Sequence, residues 1–341
     1  MRRAILLVVL AVVAGYALLE NELTRPLRVA GEAPLMLDIA PGMRVDAIGQ
    51  RLAELGLVRH PAIFKGLVWR RGSGARLKAG RYAIAGGLTL VQIVELLERG
   101  ETQRHDVTFP EGKAIPDMAG IAAAAGLSAE AFRAAASDPQ PIADLDPLAP
   151  DLEGYLFPDT YDIPQGEHSA KQLVGRMVQR FRSVLAPLRP SLQASGLTLR
   201  QVVTLASIVE LETARPEERP RIAAVFLNRM RKGMLLQTDP TVIFALKRAG
   251  PYDGNIRKKD LEIDSPYNTY RQPGLPPGPI ASPGSASLLA VLRPAATQDL
   301  YFVSRNDGSH EFNESLQMHE KAVTKFQRLR PPRALAPASK R

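Results

Sequence analysis

The stretch from Thr198 to Leu246 most constrains the fold of this chain, because in it a strongly apolar segment is followed by two acidic residues. Apolar residues recur at spacings of three and four between Leu199 and Val209, and Thr198 precedes them as a candidate N-cap. The pattern predicts a buried helix that carries Glu210 and Glu212 in its last turn.

The two glutamates are predicted to point in different directions. At about 100° per residue, Glu210 shares a helix face with Val203 and Ser207, whose modest size leaves room for a bulky ligand. Glu212 projects roughly 160° away, among apolar residues, where a carboxylate needs an internal partner. We therefore expect Glu210 in a cleft and Glu212 in a structural hydrogen bond.

A polar run follows the next predicted helix, which extends from Ile222 to Arg231. Gln237, Thr238 and Asp239 place three hydrogen-bonding side chains in a row between apolar segments. Asp before Pro is also common where a helix begins, so Asp239 has two interpretations. It is either a site residue or only the cap of a helix from Pro240 to Leu246.

Several motifs in a fixed order resemble the endolytic murein transglycosylase (YceG-like) family. The resemblance covers roughly Leu35 to Phe326, and several long motifs in one order are hard to produce by chance. The motifs are LEGYLFPDTY at 152–161, ASIVE at 206–210, NRM at 228–230, LQTDPT at 236–241, YNTY at 267–270, GLPPGPI at 274–280, YFV at 301–303 and HEFN at 310–313.

The resemblance implies an inner-membrane lytic transglycosylase, a lyase that cuts the MurNAc–GlcNAc bond of nascent peptidoglycan strands. It implies 1,6-anhydro-MurNAc ends, termination of strand elongation, and Glu210 as the catalytic acid/base. Substrate-binding residues are expected among the polar and aromatic members of these motifs. They are Gln237, Asp239, Asn228, Tyr267, Asn268, Tyr270, Glu153 and Tyr155. The expected partners are peptidoglycan strands and the peptidoglycan synthases at the membrane, without a cofactor or a metal ion.

One carboxylate suffices for such a reaction. Ordinary glycoside hydrolysis uses two, one to protonate the leaving oxygen and one to activate water or attack the carbon. In the lytic reaction the muramic C6 hydroxyl is the nucleophile, and it is already tethered to the reacting ring. A single glutamate would first give a proton to the glycosidic oxygen and then take the hydroxyl proton.

The segment from Leu152 to Tyr161 has two interpretations. Alternation of Tyr155, Phe157 and Tyr161 along an extended chain would form an aromatic face suited to stacking on sugar rings, with Glu153 nearby. The alternative is a core strand whose tyrosine hydroxyls are bonded internally. The Pro- and Gly-rich segment 260–283 is too long for a simple connection and is predicted to shape a cleft.

The N-terminus predicts a membrane anchor. Arg2 and Arg3 precede an uncharged run from Ala4 to Leu19, which as a helix spans about 24 Å against a hydrocarbon core of about 30 Å. The basic pair places the N-terminus in the cytoplasm and the remaining chain on the periplasmic side. A cleaved signal peptide is the alternative, although no clear cleavage site follows the run.

The predicted fold class is α+β, with an N-terminal membrane helix, a small LysM-like α/β subdomain and a larger mixed α+β catalytic domain. The predicted boundaries are 1–22 for the anchor, 35–111 for the LysM-like subdomain, 112–147 for a helical connecting region, 148–327 for the catalytic domain and 328–341 for a basic disordered tail. The subdomain shows two strand-turn-helix cycles and the start of a third. It either contacts glycan or serves only as a packing module.

Composition excludes several function classes. The net charge is +9, but Arg2, Arg3 and the five basic residues from Arg328 onward contribute seven of it, which argues against nucleic acid as a partner. The absence of Cys excludes a thiolate nucleophile. The five histidines lack paired metal-binding spacing, which disfavours a metal-dependent hydrolase. A membrane-anchored, non-catalytic assembly factor that binds peptidoglycan remains the alternative.

Overall fold

The computed structural model describes residues 20–100, 106–163 and 169–328. These parts contain twelve α-helices and three two-stranded sheets, which confirms a mixed α+β fold. The chain divides into two compact units, with the boundary between His105 and Asp106. The predicted anchor, Ala4 to Leu19, lies outside the described residues. Within the described ranges, no helix is both long and apolar enough to cross a membrane.

Within its described residues, the first unit contains one antiparallel sheet and, from Leu35 onward, three helices. Strand β1 (Leu35–Ile39) pairs with β2 (Gly80–Ile84), and Leu37 lies opposite Tyr82. The helices are α1 (Val45–Glu54), α2 (Pro61–Arg70) and α3 (Leu90–Arg99). Both strands and helices α1 and α3 were predicted from periodicity, whereas α2 was not. The LysM-like character and a glycan contact in this unit stay predictions.

The second unit contains two small sheets and nine helices within its described residues. Strand β3 (Asp106–Thr108) pairs with β4 (Thr160–Asp162), and β5 (Tyr301–Ser304) pairs with β6 (His310–Asn313). The helices are α4 (Ile115–Ala124), α5 (Ala129–Ala136), α6 (Ser169–Leu185), α7 (Arg189–Ser195), α8 (Leu199–Glu212), α9 (Arg219–Arg231), α10 (Asp239–Ala249), α11 (Ser285–Leu292) and α12 (Leu316–Val323).

Helix α8 lies in the core of the second unit. Thr198 is its N-cap, as the sequence suggested, and it forms a reciprocal capping box with Gln201. Every residue from Val202 to Val209 is buried, and the helix packs mainly against α11 and α9. This packing fixes the direction in which Glu210 and Glu212 leave the last turn.

Residues 112–147 share the hydrophobic core of the second unit. Phe109 stacks on Phe132 of α5 with ring centroids 6.2 Å apart, and Met118 of α4 is fully buried. These contacts place the segment within the second unit, which starts at Asp106, whereas we predicted a separate connecting region that starts at 112.

The segment from Leu152 to Tyr161 is part of this core. Tyr155, Phe157 and Tyr161 are all buried. The Tyr155 hydroxyl donates to Asp146 Oδ2 at 2.5 Å, and the Tyr161 hydroxyl donates to the Phe157 carbonyl at 2.7 Å. The core interpretation therefore applies, and these rings do not form an exposed sugar platform.

Candidate functional site

A cavity of about 480 Å³ lies in the second unit, within the range typical of ligand sites. The end of α8, the start of α10, Tyr270, the β5–β6 hairpin and α12 all contribute to its walls. Its polar lining includes Glu212, Thr238, Asp239, Tyr270, His310 and His319. Residues distant in sequence thus meet around one carboxyl group.

Glu212 supplies that carboxyl group from the last residue of α8. The Thr238 hydroxyl donates a hydrogen bond to its Oε1 atom. Burial raises the pKa of Glu212 to about 7, and the neighbouring Asp239 carboxylate adds to the rise. The Thr238 hydrogen bond and the electrostatic influence of His310 oppose it. Near neutral pH, Glu212 can therefore both hold and release a proton.

Glu210 lies elsewhere, which corrects the prediction that it faces a cleft. Its side chain is only 4% exposed, and Arg219 Nη2 donates to its Oε1 at 2.6 Å. The Gly284 amide donates to its Oε2 at 2.8 Å. Glu210 thus fastens the end of α8 to the starts of α9 and α11, and it does not line the cavity described above.

The small residues beside Glu210 make room for the chain itself instead of a ligand. The Ile280 amide donates to Ser207 Oγ at 3.1 Å, so the backbone of the 274–280 motif lies against this face of α8. Gly154 is close enough that a Cβ atom built on it would lie 2.9 Å from Val203. Small side chains on this face of α8 were compatible both with close packing of the backbone and with a binding cleft, so their size alone did not distinguish the two.

The polar run brings two of the predicted site residues to the cavity. Gln237 adopts a left-handed backbone conformation with φ of +52°, which is uncommon outside glycine. Its amide donates to the Thr269 carbonyl at 3.1 Å. Thr238 is the N-cap residue of α10, so Asp239 is not the cap and instead begins the helix. Asp239 accepts a hydrogen bond from the Tyr270 hydroxyl at 2.6 Å.

The loop that contains Tyr270 is held by a buried amide. Asn268 Nδ2 donates to the carbonyls of Leu261 and Ile263 at 2.9 and 2.8 Å, and its Oδ1 accepts from the Tyr270 amide at 3.0 Å. Asn268 is fully buried, so it positions Tyr270 and does not contact the cavity. Tyr267 packs on Phe244 at 4.9 Å, away from the cavity lining.

The remaining predicted site residues are structural. Asn228 Nδ2 donates to the carbonyls of Thr297 and Asp299, both at 2.9 Å, which ties α9 to the segment before β5. Glu153 accepts a hydrogen bond from the Ile115 amide at 3.0 Å, at the start of α4. Burial raises the pKa of Glu153 to about 8. Tyr155 is bonded to Asp146, as described above, and none of these three lines the cavity.

Several cavity residues were not predicted as site residues. Arg229 lines the cavity, but its guanidinium donates to the carbonyls of Leu235, Leu236 and Leu300, which holds the wall together. His310 and His319 also line it. His310 lies in the HEFN motif, and this was the one feature of the sequence that could have indicated a position in the site. The described residues contain no cluster of three or more His, Asp or Glu that could bind a metal ion.

Comparison with known proteins agrees with the resemblance seen in the sequence. The profile of the YceG-like family matches residues 37–325. An endolytic murein transglycosylase of Bacillus subtilis is 32% identical over 92% of this chain and 91% of its own length. One of Streptococcus pneumoniae is 29% identical over 87% of this chain, which spans only 59% of that relative. The crystal structure of a yceG-like protein from Listeria monocytogenes aligns with 85% of this chain and 99% of its own, with a TM-score of 0.59 and 31% identity.

Proposed function

Because the chain belongs to the YceG-like family, we propose that it is a lytic transglycosylase of peptidoglycan with Glu212 as its catalytic acid. The names of the relatives support the reaction class. The observation that carries the choice of residue is the position of Glu212 in the cavity with a pKa of about 7, whereas Glu210 is paired with Arg219.

The proposed reaction begins with protonated Glu212. It gives its proton to the oxygen of the MurNAc–GlcNAc bond, and positive charge develops on the sugar ring as the bond breaks. The Asp239 carboxylate and the Tyr270 hydroxyl lie on the same cavity wall and are suited to stabilise that charge. The C6 hydroxyl of the same muramic residue then attacks C1 and forms the 1,6-anhydro end, and in a single-carboxylate mechanism its proton goes to the Glu212 carboxylate.

Membrane attachment belongs to the same proposal. The apolar run Ala4 to Leu19 and the basic pair before it support a single span with the N-terminus in the cytoplasm. The cavity would then face nascent strands in the periplasm, beside the synthases that make them. Cutting there leaves a closed anhydro end and stops strand elongation.

Two matched variants test the assignment of the acid. Glu212→Gln keeps the volume and can still accept the Thr238 hydrogen bond, but it cannot transfer a proton. We expect it to lower the rate of anhydro-end formation by about 10³- to 10⁴-fold while the protein stays folded, with a melting temperature no lower than that of the wild type. Glu210→Gln is the control, since breaking its buried pair with Arg219 should cost about 3 kcal/mol of stability.

The measurement is mass spectrometry of glycan strands digested by each variant at equal concentration, at a temperature where all remain folded. Folded Glu210→Gln protein should still release anhydro ends at a rate near that of the wild type. If Glu210→Gln is folded and inactive while Glu212→Gln is active, our assignment of the two glutamates is reversed. If even the wild type binds insoluble peptidoglycan without cutting it, the chain is a binding or assembly factor.

A further inference from the structure

A histidine–carboxylate pair, His310 and Glu218, is distinct from the proposed acid Glu212, and its histidine lines the same cavity. His310, the first residue of β6, has its Nδ1 atom 2.7 Å from Glu218 Oε2. The His310 backbone amide donates to the other oxygen, Oε1, at 2.9 Å. Thr213, next to Glu212, donates from its hydroxyl to Glu218 Oε2 at 3.3 Å. Glu218 thus connects the end of α8 with the β5–β6 hairpin.

These contacts determine which nitrogen of His310 carries the proton. Partial burial tends to raise the pKa of Glu218, but the bonds from His310 and Thr213 outweigh it and leave this pKa below its ordinary value. Glu218 is therefore ionised at neutral pH and can only accept hydrogen bonds. The Nδ1 atom of His310 must then be the donor, so in the neutral ring the Nε2 atom carries a free lone pair.

The free nitrogen belongs to a ring that lines the same cavity as Glu212. Within residues 20–100, 106–163 and 169–328, no protein group forms a hydrogen bond with His310 Nε2. Phe302 meets the ring edge-to-face with centroids 5.4 Å apart, which fixes its plane together with Glu218. His310 is also close enough to Glu212 to influence its carboxyl group electrostatically. An oriented base thus lies beside the acid.

We propose that His310 is a second catalytic residue, the base that accepts the proton of the muramic C6 hydroxyl, and that Glu218 is its positioning residue. This proposal rests on the proposed function, but it divides between two groups the work that a single-carboxylate mechanism assigns to Glu212. A general base of this kind commonly contributes about 10²- to 10⁴-fold to a rate.

The proton balance closes within the cavity. The bond between C1 and the leaving oxygen breaks, and the proton of Glu212 goes to that oxygen. The bond between C1 and O6 forms, and the proton of the C6 hydroxyl goes to His310 Nε2. The imidazolium, stabilised by Glu218, then returns one proton to the Glu212 carboxylate directly or through solvent, which restores both groups for the next cut.

The test uses the full chain and uncross-linked glycan strands, with initial rates of anhydro-end formation as the readout. His310→Asn retains an amide N–H that can donate to Glu218 but removes Nε2. We expect a rate loss of about 10²-fold or more, with peptidoglycan binding and melting temperature close to those of the wild type. Glu218→Gln should lose less, about tenfold, because the ring stays but its imidazolium is no longer stabilised. His60→Asn, the same change at an exposed position in the first unit, is the control for the substitution itself.

Chemical rescue separates a base from a structural residue. In His310→Ala, added imidazole should restore part of the rate and increase it in proportion to the concentration of the neutral form, which a packing defect would not show. A rate above about a tenth of the wild type in His310→Asn, or no rescue of His310→Ala, would overturn the role of His310. Either result leaves the proposed function intact if the wild type forms anhydro ends and Glu212→Gln does not. Ordinary reducing ends from the wild type would overturn both.

Discussion

At the scale of single residues, two carboxyl groups two positions apart on α8 have opposite surroundings. Glu210 meets a guanidinium and a backbone amide, whereas Glu212 meets a hydroxyl and a cavity. Helical periodicity predicted that they diverge, and it predicted that Glu212 would have an internal partner. It did not predict which one reaches the cavity, because that depends on which chain segments pack on each side of the helix.

The pH dependence of stability follows from two buried carboxyl groups. Burial raises the pKa of Glu212 to about 7 and that of Glu153 to about 8, from an ordinary value of 4.5. Between about pH 4.5 and 8 the folded state keeps protons that the unfolded chain releases. The free energy of unfolding should therefore be highest below about pH 4.5 with respect to these groups, fall across that window and then level off.

Urea denaturation at pH values from 5 to 8 measures this effect. In Glu212→Gln the free energy of unfolding should fall by about 3 kcal/mol less than in the wild type as the pH rises, and most of this difference should arise below pH 7. Glu153→Gln still accepts the Ile115 hydrogen bond, and it should remove the part of the decline in the free energy of unfolding that continues to about pH 8. It should not change the pH profile of the cutting rate. If both variants retain the wild-type slope, the two carboxyl groups are not protonated in the folded state as described.

At the scale of elements, α8 was predicted well because its sequence contains a complete helix signal. Thr198 and Gln201 form the cap, and the apolar repeat continues to the end of the helix. The β5–β6 hairpin was recognised only as two motifs, YFV and HEFN, because its strands are four residues long and only partly buried. Short strands lack a periodic signal, so the wall of the cavity that carries His310 could not be assigned to an element from the sequence.

The close packing around α8 gives a prediction on glycine. Gly154 has φ of +82°, and a Cβ atom there would lie 2.4 Å from Pro279 and 2.9 Å from Val203. Gly196 has a similar φ of +70° at the end of α7, but a Cβ atom there would have no neighbour within 4 Å. Gly196→Ala should therefore cost only the backbone strain, about 1 kcal/mol, and Gly154→Ala clearly more, about 3 kcal/mol.

Thermal unfolding of the two variants compares these costs directly. Because both replace a left-handed glycine with alanine, the difference between their melting temperatures reports the contact of the 152–161 segment with α8 and Pro279. Equal melting temperatures would mean that this contact has room for a methyl group, contrary to the packing described here.

At the scale of the whole molecule, the sequence predicted the α+β class and a first unit that differs from the second. It did not predict that the second unit begins at Asp106, because β3 pairs with β4 across an intervening segment of more than 50 residues. A repeated strand-turn-helix pattern cannot reveal such a long-range partner. The repeat therefore suggested that the first unit continues to residue 111, whereas the core of the second unit already begins at Asp106.

Membrane attachment is a testable property of the full chain. We expect the protein to sediment with membranes and to resist a high-salt wash, because the run from Ala4 to Leu19 is uncharged throughout and mostly apolar. Val12→Lys, near the middle of this run, should weaken insertion by about 3 kcal/mol, whereas Val12→Leu should not. Recovery of a soluble protein whose N-terminus lies near Glu20 would instead indicate a cleaved signal peptide.

The β5–β6 hairpin and α12 form the part of the cavity wall that is synthesised last, so they determine when the cavity can be complete. Glu218 and His310 are 92 residues apart in the sequence. A ribosome that adds about 5–20 residues per second needs roughly 5–20 s to make the chain between them. During that interval the growing polypeptide already contains its glutamates but has no enclosed site around them. The cavity, and with it the activity proposed for this protein, can therefore form only after the residues through α12 have been synthesised.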